Sequence, residues 1–256
     1  MRANQEALLL LHRLKPYQHL VELAEGLRDA LAPARCIQCL LEGTWYCKEC
    51  RATVPPHILT CIICKEERFR GTTCIACREE TVLTGVVSVG TYSNQALQRG
   101  IEWLKFKGIR PLAEIMAALL IPRITTIAPI QELSEHAVLV PLPLHSWRQR
   151  TRGFNQSEDI ANVIGRICNI QVAPILQRTV STSSQANLPH TLRSENMKDA
   201  FSLAISEEAY KTLVQQKSIV IIIDDVTTTG STLSSAASVL PSIPNAQIWG
   251  AVVARG

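Results

Sequence analysis

Val220-Ile221-Ile222-Ile223-Asp224-Asp225-Val226-Thr227-Thr228-Thr229-Gly230-Ser231-Thr232 passes from four β-branched apolar residues, through two adjacent carboxylates, into a hydroxyl-rich turn with one glycine. An unbroken β-branched run suits a central parallel strand covered on both faces, and the polarity switch at Asp224 marks where that strand leaves the core. Ligands of open α/β sheets bind there, beyond the carboxyl ends of the strands. The turn from Thr227 to Thr232 offers backbone N–H groups, hydroxyls and the permissive Gly230, just before a helical run from Leu233 to Leu240. A helix N-terminus with those donors favours a phosphate.

Asp224 and Asp225 would repel that anion if they faced it, so they must serve another part of the ligand. Carboxylates accept hydrogen bonds from vicinal ribose hydroxyls and attract Mg²⁺ held by a second phosphate group. A ribose 5-phosphate meets both demands. An ordinary strand ending in a capped turn is the plain alternative, and it leaves the adjacent acids unexplained. The thirteen residues resemble the binding signature for 5-phosphoribosyl 1-pyrophosphate (PRPP) of type I phosphoribosyltransferases, an apolar strand followed by two acids and a Thr/Ser/Gly-rich loop.

The 256 residues suffice for one large domain or a medium domain with a small appendage, and 46% hydrophobic content is ordinary for a globule. A net charge of +4 is too modest to argue for nucleic acid by itself. Before residue 36 the apolar run Ala7 to Leu11 is too short for a membrane span and lacks the flanks of a secretory signal, which points to a cytoplasmic setting. Leucines at helical spacing, broken at Pro16, make residues 1–35 a helical segment that docks on something.

Eight of nine cysteines form four C-x-x-C pairs: Cys36 and Cys39, Cys47 and Cys50, Cys61 and Cys64, Cys74 and Cys77. Without an export signal, metal rather than disulfide is the expected partner. Two such pairs complete a tetrahedral Cys₄ zinc site with no open position, so the zinc is structural. Sequential pairing gives two ribbons with short loops and is favoured over a cross-braced arrangement by about 1 kcal/mol of loop-closure entropy. A segment so poor in large apolar side chains needs staples, and metal supplies on the order of 10 kcal/mol per site. Cys168 ends a helical pattern and reads as core filling.

The cysteine-rich segment, a double zinc ribbon over 36–80, gives way after Glu79-Glu80 to apolar runs alternating with helical patterns. Residues 81–256 then read as an α/β domain: strands over 86–92, 137–140, 172–175, 219–223 and 247–253, and helices over 97–106, 112–121 and 155–168. Such alternation implies a parallel sheet flanked by helices. Asn155 followed by Glu158 has the form of a capping box.

Cleaving ribose C1 from pyrophosphate gathers negative charge on the leaving group, so something cationic must meet it. Val138-Leu139-Val140-Pro141-Leu142-Pro143-Leu144-His145 is a strand feeding a loop, followed by alternate arginines Arg148, Arg150 and Arg152 and then Gly153-Phe154-Asn155-Gln156. Guanidinium forks suit phosphate oxygens, though a solvated basic turn or a nucleic-acid contact has the same composition. Lys105 and Lys107 could approach phosphates, but helix-end lysines more often face solvent. The polar segment from Ser181 to Asn196, with Pro189 and His190, could close over the site as a water-excluding hood or be a plain surface loop.

Pro141-Leu142-Pro143-Leu144-His145, the arginine spacer and Arg152-Gly153-Phe154-Asn155-Gln156 resemble the ComF/GntX competence-associated phosphoribosyltransferase-like family. So do Leu104-Lys105-Phe106-Lys107-Gly108 and Gln185-Ala186-Asn187-Leu188 with Arg193, Asn196, Ala200 and Phe201. Departures are small: Asn187 stands where the family usually has Gly, and Pro189-His190 replaces Ser and a basic residue. The resemblance implies a type I phosphoribosyltransferase fold preceded by a small Cys₄ zinc-ribbon module, binding PRPP with Mg²⁺. Asp224 and Asp225 would be the catalytic pair and hold the ribose hydroxyls, directly or through metal-bound water. Thr227, Thr228, Thr229, Gly230, Ser231 and Thr232 would cradle the 5-phosphate. Pro143, Leu144, His145, Arg148 and Arg152 would face pyrophosphate. Three functions stay open: transfer of phosphoribose to a nitrogenous base, including nucleobase salvage; a non-catalytic PRPP-responsive protein of DNA uptake whose ribbons and aromatics Trp45, Tyr46 and Phe69 engage single-stranded DNA; and a purely structural interaction protein.

Overall fold

The computed structural model describes residues 33–55, 57–179 and 200–256. The helical segment expected before residue 33 and the hood segment 181–196, His190 included, lie outside these. Two compact units part between Arg51 and Ala52. The first holds the Cys36 set, around which Arg35 and Glu42 form an isolated antiparallel bridge and Tyr46 is wholly buried. The second set of four cysteines lies in the unit that carries the sheet.

In that unit the chain runs β1 (Gly85–Thr91), α1 (Gln95–Lys107), α2 (Pro111–Ile124), α3 (Ile130–His136), β2 (Ala137–Pro141), α4 (Ser146–Arg152), α5 (Gln156–Cys168), β3 (Gln171–Val172), β4 (Leu176–Arg178), β5 (Phe201–Leu203), α6 (Glu207–Gln216), β6 (Ile219–Thr227), α7 (Ser231–Ser238) and β7 (Gln247–Arg255). Five strands form one parallel sheet in the order β1-β7-β6-β2-β3, and β4 pairs antiparallel with β5 beside it. With the two four-cysteine clusters, this is the type I phosphoribosyltransferase fold with zinc-ribbon elements that the sequence implies.

β6 is central because its residues allow nothing else: Ile219 to Asp225 are all buried. Pleating sends Val220 and Ile222 to one face, into a core with Val138, Val140, Val252, Leu233 and Phe201. Ile221, Ile223 and Leu139 point to the other face, where α5 approaches so closely at Gly165 that a Cβ there would meet Val172. Each buried isoleucine contributes about 2 kcal/mol. The apolar half of the strand therefore offsets the burial of the carboxylates that follow, which opposes folding.

The caps fit the local sequence. Asn94 accepts from the Leu97 N–H at the start of α1, and Gly108 ends it in the left-handed region at φ 66°. The strand expected over 172–175 stops at Val172, because Pro174 has no N–H to give a ladder. Pairing resumes at Leu176 in the small second sheet. Cys168 is buried, as core filling requires.

Candidate functional site

Asp224 and Asp225 sit at the carboxyl end of β6, both buried. Asp224 Oδ1 accepts from Ser157 Oγ at 2.9 Å and from the Asp225 N–H at 2.9 Å. Burial first, and then the neighbouring Asp225 charge, push the Asp224 carboxyl up to about 7. Asp225 Oδ1 lies 2.9 Å from Lys105 Nζ, with the Asp225 side chain 4% and the lysine 21% exposed. Among the described residues Asp225 Oδ2 is buried and has no hydrogen-bond partner. An orphaned buried carboxylate oxygen costs several kcal/mol and marks a place for a ligand donor or a hard cation. The oxygen-only donor set of this pair fits Mg²⁺.

Lys105→Met is expected to destabilise the chain by about 2–3 kcal/mol at neutral pH, because it leaves a buried carboxylate unpaired. Denaturant unfolding of parent and variant under the same conditions reads the difference, and equal midpoints would contradict it.

Arg148 and Arg152 are half-buried, one helical turn apart on α4, while Arg150 between them faces solvent. Arg152 donates to Gln156 Oε1, and its guanidinium lies 5.6 Å from the Phe106 ring. Burial lowers the proton affinity of Arg152, Asp225 opposes that, and Arg148 adds to it. Arg178, at the end of β4, is lowered by burial and by Arg148 and raised by Asp224. Arg148 thus acts on both Arg152 and Arg178, Asp225 on the first and Asp224 on the second, so cations from two elements share the field of the acid pair. Pro143, Leu144 and His145 form the half-buried loop after β2, where His145 caps α4 by accepting the Trp147 N–H on Nδ1. Asn155 caps α5 and donates to the Leu142 carbonyl, tethering this loop to the helix that supplies Ser157.

The threonine-rich loop joins β6 to α7. Thr227 ends β6, Thr228 and Thr229 are exposed, and Gly230 is the residue before α7, with φ 82°. Thr229 Oγ1 accepts from the Ser231 N–H and donates to Ser231 Oγ, a local brace that keeps the turn compact. Thr232 is half-buried in the first turn of α7. All six residues from Thr227 to Thr232 therefore bend around the end of the strand that carries the acids, with a helix N-terminus behind them.

The eight paired cysteines gather as the sequential reading requires, Cys36, Cys39, Cys47 and Cys50 in one group and Cys61, Cys64, Cys74 and Cys77 in the other, each with its sulfurs within 4.8 Å of one another. Cys39 to Cys47 and Cys64 to Cys74 are each 3.7 Å, against about 3.8 Å for the edge of a tetrahedron with 2.3 Å metal–sulfur bonds. Burial resists ionisation of Cys61, but N–H groups of Cys74, Cys64 and Ile63 outweigh it and bring the thiol to about 6; Cys36 behaves alike. Both clusters suit structural zinc. They are also one motif used twice: Leu40 and Lys65, each the residue after the second cysteine, have φ near 65° at 65° and 63°. Each donates its N–H to the first cysteine's carbonyl, Leu40 to Cys36 at 3.0 Å and Lys65 to Cys61 at 3.1 Å.

Ser157 and Arg178 are site residues that sequence reasoning missed, and Gln156, quoted in the motif after Arg152, was given no role. Ser157 and Gln156 could have been found from the Asn155 cap, which places them in the first turn of a helix aimed at the strand end. Arg178 carries only the signal of a basic residue closing a short apolar run. Lys107, offered with Lys105 as a phosphate ligand, instead lies 4.3 Å over the Trp103 ring. Of the stacking aromatics, Tyr46 is wholly buried and supports the first cluster, whereas Phe69 is 79% exposed with the Arg70 guanidinium 4.8 Å from its ring.

No family model matches the chain. The chain is 27% identical to Competence protein F of Haemophilus influenzae over 226 residues, 84% of this chain and 95% of that protein. It is 30% identical to DNA utilization protein YhgH of Salmonella typhimurium over 170 residues, 64% of this chain and 70% of that protein. With the protein of the same name from Escherichia coli K12 it shares 32% identity over 156 residues, 60% of this chain and 65% of that protein.

Proposed function

The chain belongs to the ComF/GntX family, and from that premise we propose that it binds PRPP with Mg²⁺ at the end of β6 and acts in DNA uptake in the cytoplasm. One observation carries the reading. Among the described residues Asp225 Oδ2 is a buried carboxylate oxygen with no hydrogen-bond partner, at the end of the strand that leads into α7 and within the field of Lys105 and Arg152. A sugar bearing hydroxyls between two phosphate groups answers each feature: hydroxyls to the acids, 5-phosphate to the turn, pyrophosphate to the arginines.

In this reading the N–H groups from Thr228 to Thr232 hold the 5-phosphate, and Asp224 and Asp225 accept from the ribose hydroxyls. Ser157 and Lys105 fix the two carboxyls so that little reorganisation accompanies binding. Arg148 and Arg152, with Arg178 beside them, meet the pyrophosphate. Magnesium, when bound, neutralises phosphate charge. Transfer to a nitrogen acceptor would form an N–C1 bond as the C1–O bond breaks and its electron pair leaves on pyrophosphate. That step needs positioning more than a general base.

The names of the relatives, competence and DNA utilization, support the DNA-uptake part. Single-stranded DNA is the partner that an exposed Phe69 with Arg70 would favour, by stacking and phosphate contact. Among the described residues no helix is long and apolar enough to cross a membrane.

Calorimetry of the full chain with PRPP and Mg²⁺ tests the site: one saturable event per chain is expected, and no heat over the range up to millimolar PRPP would remove it. Pyrophosphate release across a panel of bases then separates transferase from binder. Affinity for an oligothymidylate should fall steeply with salt, and salt-insensitive binding would argue against the DNA contact.

A further inference from the structure

The turn assigned to the 5-phosphate is built in part by the second cysteine motif. Ile62, between Cys61 and Cys64, is wholly buried and belongs to the same apolar core as Leu233 of α7 and Val86 of β1. It lies directly over Gly230: a Cβ there would collide with Ile62 Cγ1 and stand 2.8 Å from Cδ1. Lys65, the residue after Cys64, donates from Nζ to the Thr228 carbonyl at 3.2 Å. Arg255, at the end of β7, donates to the Thr60 and Cys61 carbonyls at 2.9 and 3.0 Å. The next residue, Gly256, gives its N–H to the Thr227 carbonyl at 2.9 Å. The cysteine loop and the threonine loop therefore hold each other from both ends.

The first copy of the motif keeps a buried isoleucine at the matching position, Ile37, but gathers its four cysteines without the lysine. Leu40 takes the place of Lys65 with the same left-handed backbone and is 63% exposed. An ammonium group at that position is not demanded by the turn, and in the second copy it is spent on Thr228. Carbonyl oxygens of a phosphate loop must point away from the anion for the amides to face it. Lys65 holds one of them outward, and Ile62 leaves Gly230 no room to move toward the cluster. Lys65 and Arg255 also stand between the phosphate loop and the cluster, whose four thiolates around a divalent ion carry a net charge of about −2.

We propose that Ile62 and Lys65 are positioning residues for the phosphate loop, so that the metal-clamped loop Cys61–Lys65 sets the loop's affinity for its ligand. The proposal rests on the PRPP reading of that loop, and its test is arranged to fail separately from it. Ile62→Ala, Ile62→Val and Lys65→Met are made in the full chain, with all eight paired cysteines intact. Three quantities are read: zinc per chain, hydrogen exchange of peptides spanning 227–232 against those spanning 137–141, and PRPP–Mg²⁺ affinity by calorimetry.

Zinc content and exchange over 137–141 should stay at the parent level. Exchange over 227–232 should rise about tenfold in Ile62→Ala and in Lys65→Met, a local opening distinct from global unfolding. Affinity for PRPP should weaken about tenfold in both, and Ile62→Val should restore exchange and affinity to within about twofold of the parent. If Ile62→Ala sheds metal, Lys65→Met decides on the same readouts, since its exposed side chain leaves the core untouched. Parent-like exchange over 227–232 in the variants overturns the proposal. If the parent itself ignores PRPP, the reading of the site falls, while faster loop exchange in Ile62→Ala and Lys65→Met still upholds the positioning role and unchanged exchange still overturns it.

Discussion

The double variant Asp224→Asn with Asp225→Asn is expected to lose affinity for PRPP by about a thousandfold while folding at least as stably as the parent. Hydrogen bonds to an ionised acceptor are worth about 1.5–3 kcal/mol each, and two of them sum to roughly 4 kcal/mol, or three decades in the dissociation constant. Stability moves the other way because the parent keeps two adjacent carboxyls out of water, one pushed up to about 7 by burial and by its neighbour. Amides of the same shape carry no such cost. Lys105 loses its partner but is 21% exposed and can turn to solvent. Calorimetry and urea unfolding on the same preparations separate the effects. A parent-like dissociation constant, or an affinity loss matched by a loss of folding, would contradict the assignment. Such opposition between stability and binding is expected where charge is buried for a ligand rather than for the fold.

The second large effect concerns Cys74→Ser, which should unfold more than the cysteine motif itself. A four-thiolate zinc site supplies on the order of 10 kcal/mol, against a whole-domain stability of roughly 5–15 kcal/mol. Were the cluster an independent appendage, its loss would leave the sheet intact. Ile62 instead shares a core with Val86, Leu233 and Val252, Thr73 bonds Thr84 and Leu83, and Arg255 is anchored on the cluster's own carbonyls. Even about 3 kcal/mol transmitted to this unit would lower its melting temperature by about 10 °C. Scanning calorimetry with zinc analysis should show the main transition shifted and metal reduced. An unshifted main transition with one metal lost would show that the cluster and sheet are energetically separate.

The strand, the acid pair and the threonine turn were legible because all the information is local: a β-branched run cannot be exposed, and adjacent acids after it cannot be idle. The cysteine pairing was legible too, since short loops close at least cost and the ligand spacing is stereotyped. Arg178 was not, because β4 comes near the acid pair only through the fold, and a lone arginine in Leu176-Gln177-Arg178 has no spacing signature. Ser157 was hidden for a related reason: its hydroxyl matters only once α5 is aimed at β6. Ile62 read as a spacer between two cysteines. A composition change after residue 78 marks the end of the cysteine-rich stretch but says nothing about which core that isoleucine enters. Pro174 does carry its signal: it has no N–H for a ladder, and that outweighs the apolar content of 172–175 and ends the strand at Val172.

The most direct measurement is a crystal structure of the full chain grown with PRPP and Mg²⁺. The expected result is the 5-phosphate on the N–H groups of residues 228–232, with the ribose hydroxyls within hydrogen-bond distance of Asp224 and Asp225. PRPP bound elsewhere, with Asp225 Oδ2 still facing protein alone, would contradict it.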